Sequence, residues 1–143
     1  MSNGYACIGL HHPKNRINVG AALRAAGCFD AALVVTSGKR YTQSITDVSV
    51  AHKRIPLLQV SSVIESIPYD CVPVAIEVCE DAIDLPVYEH PKRAFYIFGP
   101  EDGTLGASVV QRCRDVVRIP AGCLNLAACV NVVLYDRLAK EKR

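Results

Sequence analysis

Apolar residues along this chain fall into short runs separated by polar punctuation, and the runs alternate between strand-like and helix-like patterns. Tyr5 to Leu10, Ala31 to Thr36, Ala94 to Phe98 and Val116 to Ile119 are compact apolar stretches of strand length. The second is rich in β-branched residues, which favour pleated structure. Ile55 to Val60 adds a shorter strand, and Cys71 to Val78 another. Pro73 lies inside that last run. Lacking an N–H, it predicts an edge strand or a first-residue position.

Between these runs the spacing turns helical. Asn18 is suited to cap an Ala-rich helix from Val19 to Cys28, with Gly27 near its end. Ser61 to Ile67 reads as a short capped helix stopped by Pro68, and Ser44 to Val50 as a helical turn. Glu80 to Arg93 is polar, contains two prolines and reads as a connector. Gly106 to Cys113 predicts a helix. Asn125 to about Lys140 predicts a longer one, with Leu126, Cys129, Val130, Val133, Leu134 and Leu138 on one face. Alternating strands and helices predict an α/β fold: a mostly parallel sheet flanked by helices, formed by residues 1–143 as one domain. No internal repeat, low-complexity segment or second-domain linker interrupts the pattern.

Composition narrows the setting. Half of the 143 residues are hydrophobic, which argues against disorder. The start, Met1-Ser2-Asn3-Gly4, is polar, and no apolar run approaches the length of a membrane span. The expectation is a soluble, cytoplasmic protein. There are seven cysteines, none spaced as C-x-x-C, and the four histidines form no partner motif, so no metal site is expected. Most of the cysteines lie in apolar runs and read as small core residues in a reducing compartment.

The net charge of +2 is small, but its distribution is uneven. Lys14, Arg16, Arg24, Lys39, Arg40, Lys53 and Arg54 face only Asp30 and Asp47 in the first 60 residues. Residues 61–91 are acidic without a single Lys or Arg, and basic residues dominate again from residue 92. Segregation of this kind can build a basic face for a polyanion such as RNA. Each of these seven side chains is a candidate phosphate contact, and each reads equally as a solvated surface charge.

Two loops carry candidate chemistry. Gly99-Pro100-Glu101, with Gly106 beyond it, follows an apolar strand and precedes a helix. Ile119-Pro120-Ala121-Gly122-Cys123-Leu124-Asn125-Leu126 does the same one unit later. Both belong at the carboxyl ends of parallel strands, where α/β sheets bind ligands. Neither is G-x-G-x-x-G, and no G-K-[ST] follows, so the dinucleotide and P-loop fingerprints are absent. Near the N-terminus, Asn18-Val19-Gly20 is followed by Arg24, the only charge between Arg16 and Asp30.

Taken together and in this order, the three segments resemble the SPOUT superfamily of RNA methyltransferases, in its SpoU/TrmH branch. The resemblance runs over essentially the whole chain. It implies a C-terminal deep trefoil knot, an exception to the rule against threaded chains. It implies S-adenosylmethionine as cofactor, bound near Ile76, Gly99, Pro100, Glu101, Gly106, Ile119, Pro120, Cys123, Leu124 and Leu126. It implies a homodimer whose first and last helices form much of the interface, with RNA, transfer RNA ahead of ribosomal RNA, bound across both subunits. The implied reaction is methyl transfer to a ribose 2′-OH. Arg24 stands nearest the chemistry in this reading, with Asn18, Glu101 and Asn125 positioning it and the loops.

The chain departs from the branch at Cys123, where serine is usual. A thiol is the poorer hydrogen-bond partner. Two alternatives stay open: a methyltransferase of the same superfamily acting on a base nitrogen, and a non-catalytic RNA-binding protein that keeps the fold. The Asn18/Arg24 pair, a mark of the ribose-directed branch, speaks against the first. Cys123 is the one feature that favours the second.

Overall fold

The structure, a computed structural model, describes residues 4–38, 55–122 and 124–141. Seven strands form its sheet: β1 (Tyr5–Leu10), β2 (Leu33–Ser37), β3 (Leu57–Val60), β4 (Val72–Ile76), β5 (Ile83–Asp84), β6 (Arg93–Phe98) and β7 (Asp115–Arg118). They lie in the order β3-β2-β1-β6-β4-β7-β5, and every neighbouring pair is parallel. Three α-helices accompany them: α1 (Arg16–Cys28), α2 (Ala107–Val110) and α3 (Leu126–Glu141).

The apolar runs are continuous because the central strands are covered on both faces, and successive side chains point to opposite sides. One layer gathers Ile8, Leu10, Tyr96 and Phe98 under α1 and α3, which contribute Ala22, Leu23, Ala26, Val130, Val133 and Leu134. The other gathers Cys7, Phe95, Ile97 and Ala75 beneath Val63, Leu105 and Val109. Tyr96, Phe95, Ile8 and Leu10 are fully buried, each contributing about 1.5–3 kcal/mol by leaving water. Ala22, Ala25 and Ala26 keep α1 thin where it packs, and α3 lies alongside it.

Several expectations need correction. Helix α1 begins at Arg16 with Asn15 as its cap, the Asn15 side chain accepting from the Asn18 N–H, so Asn18 is released for another partner. Residues 61–67 form only a 3₁₀ turn at Ile64–Ser66, and α2 stops after four residues. The connector contains the edge strand β5 and a second 3₁₀ turn. Pro73 is not at an edge, because β4 runs between β6 and β7. Its missing N–H is tolerated because the ladder to β7 starts one residue later, at Val74 and Asp115, while the Pro73 carbonyl still accepts from the Arg114 N–H. Of the described cysteines only Cys7 and Cys71 are buried, and all are free thiols. The helical turn expected at 44–50 lies outside the described residues.

A buried polar clamp fastens α3 to the sheet. Arg137 is 6% exposed. Its guanidinium donates to the carbonyls of Pro91 (2.7 Å) and Lys92 (2.5 Å) and to the Tyr96 hydroxyl (3.0 Å), and pairs with Glu141 at 3.2 Å. His90 closes the network, with Nδ1 2.7 Å from the Tyr96 hydroxyl and Nε2 2.7 Å from Asp136. Burial lowers the His90 pKa more than Asp136 raises it, and Lys140 and Arg137 lower it further, which favours the neutral ring. One assignment then satisfies every group. The Tyr96 hydroxyl accepts from Arg137 and donates to Nδ1, and Nε2–H donates to Asp136. The Asp136 carboxylate finds its cation in Lys140, 2.7 Å away.

Because Arg137 satisfies the buried Tyr96 hydroxyl and several part-buried carbonyls at once, Arg137→Ala is expected to destabilise the fold by about 3 kcal/mol, the cost of leaving such groups unpaired. Urea unfolding of the variant against the parent measures this. A midpoint unchanged from the parent would show that the clamp contributes little.

Candidate functional site

The carboxyl ends of β6, β4 and β7 lie side by side, so the loops that follow them meet at one edge of the sheet. They enclose a cleft lined by Ile76, Glu77 and Val78 after β4, by Phe98 to Glu101 and Gly103 after β6, and by Ile119, Ala121, Gly122, Leu124, Leu126 and Cys129 after β7. Gly106 sits at φ +84°, a left-handed conformation that suits glycine, and turns the β6 loop into α2. The β7 loop bends tightly after Pro120, the Ala121 N–H donating to the Ile119 carbonyl at 2.8 Å. Asn125 then caps α3, its side-chain oxygen accepting from the Ala128 N–H at 2.7 Å.

Two carboxylates organise these loops. Glu77 accepts from the Leu105 N–H at 2.8 Å and from its neighbour Val78 at 2.9 Å, tying the β6 loop to the end of β4. Glu101 reaches the other way. One oxygen accepts from the Lys14 N–H at 2.7 Å, and the other from the Asn15 N–H at 3.4 Å and the Asn18 amide at 2.6 Å. The glycine loop is thereby bound to the first turn of α1, more than eighty residues away in sequence. Burial alone would raise the Glu101 pKa. Hydrogen bonds from Asn18, Lys14 and Asn15 outweigh it and hold the carboxyl below its ordinary value of 4.5.

Of the expected cofactor contacts, Ile76, Gly99, Pro100, Glu101, Ile119, Leu124 and Leu126 line the cleft. Gly106 and Pro120 shape its loops without lining it, and Cys123 lies outside the described residues. Asn18 and Glu101 meet directly, but Arg24 does not join them. It is exposed on α1, nearly two turns beyond Asn18, and bonds to neither Glu101 nor Asn125. Lys14 and Arg16 are exposed at the start of α1, beside the Glu101 cluster. Lys39, Arg40, Lys53 and Arg54 lie outside the described residues. Sequence reasoning assigned no cofactor contact to Glu77, Val78, Phe98, Gly103, Ala121, Gly122 or Cys129. Glu77 had a usable signal, since it is the first polar residue after a strand that ends at this edge.

The cleft suits S-adenosylmethionine. Ile76, Ile119, Leu124 and Leu126 offer apolar surface to a flat base, and the loops offer backbone polar groups to a ribose. The carboxylates of Glu77 and Glu101 suit a ligand carrying a sulfonium and an ammonium. Among the described residues no group of His, Cys, Asp and Glu is arranged to hold a metal ion, and no helix is long and apolar enough to cross a membrane.

The SpoU rRNA Methylase family matches the chain over residues 5–135. The chain belongs to this family. Its fold is shared with the SpoU methyltransferase AviRb from Streptomyces viridochromogenes in complex with AdoMet, at a TM-score of 0.85 and 18% identity over 99% of this chain and 62% of that one. The A. aeolicus TrmH/SpoU tRNA modifying enzyme superposes with a TM-score of 0.84 at 15% identity, over 99% and 77% of the two chains. A structure concerned with the 2-OH methylation of C/U34 on tRNA superposes with a TM-score of 0.83 at 21% identity, over 100% and 94%. The present chain thus spans less than two thirds of AviRb. No curated protein matches it significantly in sequence.

Because the folded-state pKa of Glu101 is depressed, its contribution to stability is fully present above the ordinary value of 4.5 and lost as pH falls through the depressed value. The stability difference between the parent and Glu101→Gln, followed by urea unfolding across a pH series, is expected to be largest above that value and to shrink below it. A difference independent of pH would mean that the carboxylate charge has no part in holding the loop.

Proposed function

We propose that the protein transfers a methyl group from S-adenosylmethionine to a ribose 2′-OH of RNA, with transfer RNA ahead of ribosomal RNA as substrate. The observation that carries this reading is the direct bond between Asn18 and Glu101. It joins the N-terminal motif to the glycine loop that lines the cleft. Family membership supports the class of reaction. The fold neighbour that covers nearly the same length concerns 2-OH methylation of transfer RNA, which supports the ribose and the substrate. The cofactor reading is supported by the AviRb complex with AdoMet and by the lining of the cleft.

When bound, the cofactor supplies a methyl group already activated by a positive sulfur. The protein's part is alignment, which in favourable cases lowers a barrier by about 7–11 kcal/mol. Ile76 at the end of β4 and Leu124 in the loop after β7 would hold the ligand. Glu101 holds the first turn of α1 against the cleft, so that RNA gripped by Lys14 and Arg16 meets it in one orientation. The Arg24 guanidinium grips a phosphate that orients the 2′-OH. We read the segment from β7 into α3 as the threaded part of a trefoil knot. We read α1 and α3 as a homodimer interface, for which exposed Ile17, Val132 and Tyr135 are suitable apolar contacts.

Incubating the protein with isotopically labelled S-adenosylmethionine and separate pools of unmodified transfer and ribosomal RNA tests the reading. Label is expected in a 2′-O-methylnucleoside from transfer RNA, identified by mass spectrometry of the digest. Label on a base would replace the proposal with base methylation. Arg24→Ala is expected to abolish transfer while leaving cofactor affinity, measured by calorimetry, nearly unchanged. Retained turnover in that variant would remove Arg24 from the mechanism.

A further inference from the structure

Two histidines, His11 and His12, follow strand β1 next to the cleft. The His11 N–H donates to the carbonyl of Phe98 at 2.9 Å, and Phe98 itself lines the cleft. Two residues after His12, the Lys14 N–H is held by Glu101. His12 is therefore fixed from both sides, one strand away from the loops expected to hold the cofactor.

Its backbone is strained. His12 has a φ of +52°, one of two positive values among the described non-glycine residues. The conformation is held by a bond from the His12 N–H to Ser37 Oγ at 3.3 Å and by the packing of Gly38. A Cβ on Gly38 would come within 3.2 Å of the His12 Cα and Cγ, and the φ of +88° at Gly38 also disfavours any side chain. Strain of this kind persists only where the surroundings enforce it, and it concentrates at functional sites.

The strained turn brings two rings together. The His11 and His12 imidazoles lie with centroids 4.2 Å apart and planes at 39°. His12 is exposed and His11 half-buried. Among the described residues neither ring makes a hydrogen bond or an ion pair. Burial, and next the neighbouring His12, lower the His11 pKa, which keeps that ring neutral near pH 7. Flat aromatic surface open to solvent, two residues from the exposed Lys14, is what an unstacked RNA base requires: a π-face to lie on and a cation for the adjoining phosphate.

We propose that His11 and His12 form a stacking platform for a base of the RNA substrate next to the ribose that is methylated. The proposal rests on the RNA-methylation reading above. It makes His12 a substrate-positioning residue, and it accounts for the strain and the exposure together.

The test compares the parent with His12→Asn and His12→Tyr. Asparagine tolerates positive φ and so keeps the backbone turn while removing the ring. Tyrosine keeps a ring. Three quantities are measured: the kcat and KM for the transfer-RNA pool, the quenching of a 2-aminopurine-containing oligoribonucleotide, and S-adenosylmethionine affinity by calorimetry. His12→Asn is expected to raise the KM for RNA roughly ten- to hundredfold, the range set by loss of one base stack, and to abolish quenching. Cofactor affinity stays unchanged, and His12→Tyr restores binding. If His12→Asn behaves as the parent while the product is a 2′-O-methylnucleoside, the platform is overturned and the ribose reading stands. If His12→Asn weakens RNA binding but the product is a methylated base, the platform stands and the ribose reading falls. Equal impairment of RNA and cofactor binding in both variants would make His12 a backbone strut and overturn the platform.

Discussion

The Arg137 guanidinium is the constraint on which the cleft ultimately depends. It lies near the far end of α3 and is bonded to the carbonyls of Pro91 and Lys92 at the start of β6. A helix is stiff, rising about 1.5 Å per residue, so anchoring Arg137 fixes Leu126 roughly 17 Å away at the cleft. The same guanidinium bonds the Tyr96 hydroxyl in the middle of β6, and β6 ends at Phe98 and the glycine loop. One buried cation thus sets the positions of two walls of the site. Its charge is offset by Glu141, and its donors are taken up by the Tyr96 hydroxyl and backbone carbonyls, which is why it can remain inside.

At the working edge the two carboxylates divide the labour. Glu77 binds the glycine loop to β4 inside the cleft, and Glu101 binds the same loop to α1. Each accepts from backbone N–H groups that a loop without regular structure would otherwise leave exposed or unpaired. The loop is therefore held open at both ends, which leaves its backbone free to face a ligand.

The histidine corner follows from the same arrangement. His11 is tied to Phe98, Lys14 is tied to Glu101, and the one residue that must absorb the change of direction between them before Pro13 is His12. Its left-handed backbone is tolerable because Gly38 makes room for it and Ser37 pairs its N–H. Strain at that point is balanced by the packing of the β1 and β6 ladder, whose register runs unbroken from Tyr5 with Arg93 to Leu10 with Phe98.

Local patterning determined much of this protein. The apolar runs mark β1, β2, β6 and β7 to within a residue or two, because a strand buried on both faces leaves little else for its sequence to be. The helical spacing after Asn125 marks α3 almost to its end. Two of the three motifs mark loops that meet at the cleft, and the third marks the start of α1, which Glu101 ties to one of them. Tertiary structure decided the rest. Pro73 reads as an edge signal, yet β4 is interior, because only the β7 ladder shows that its missing N–H falls before pairing begins. Asn18 reads as a cap, yet Asn15 takes that role. A carboxylate from residue 101 claims the Asn18 amide, and no local window contains that contact. Short segments such as α2 and β5 have too few residues to display a period. His11 and His12 acquire meaning only when parallel strands with no sequence proximity bring their carboxyl ends to one edge.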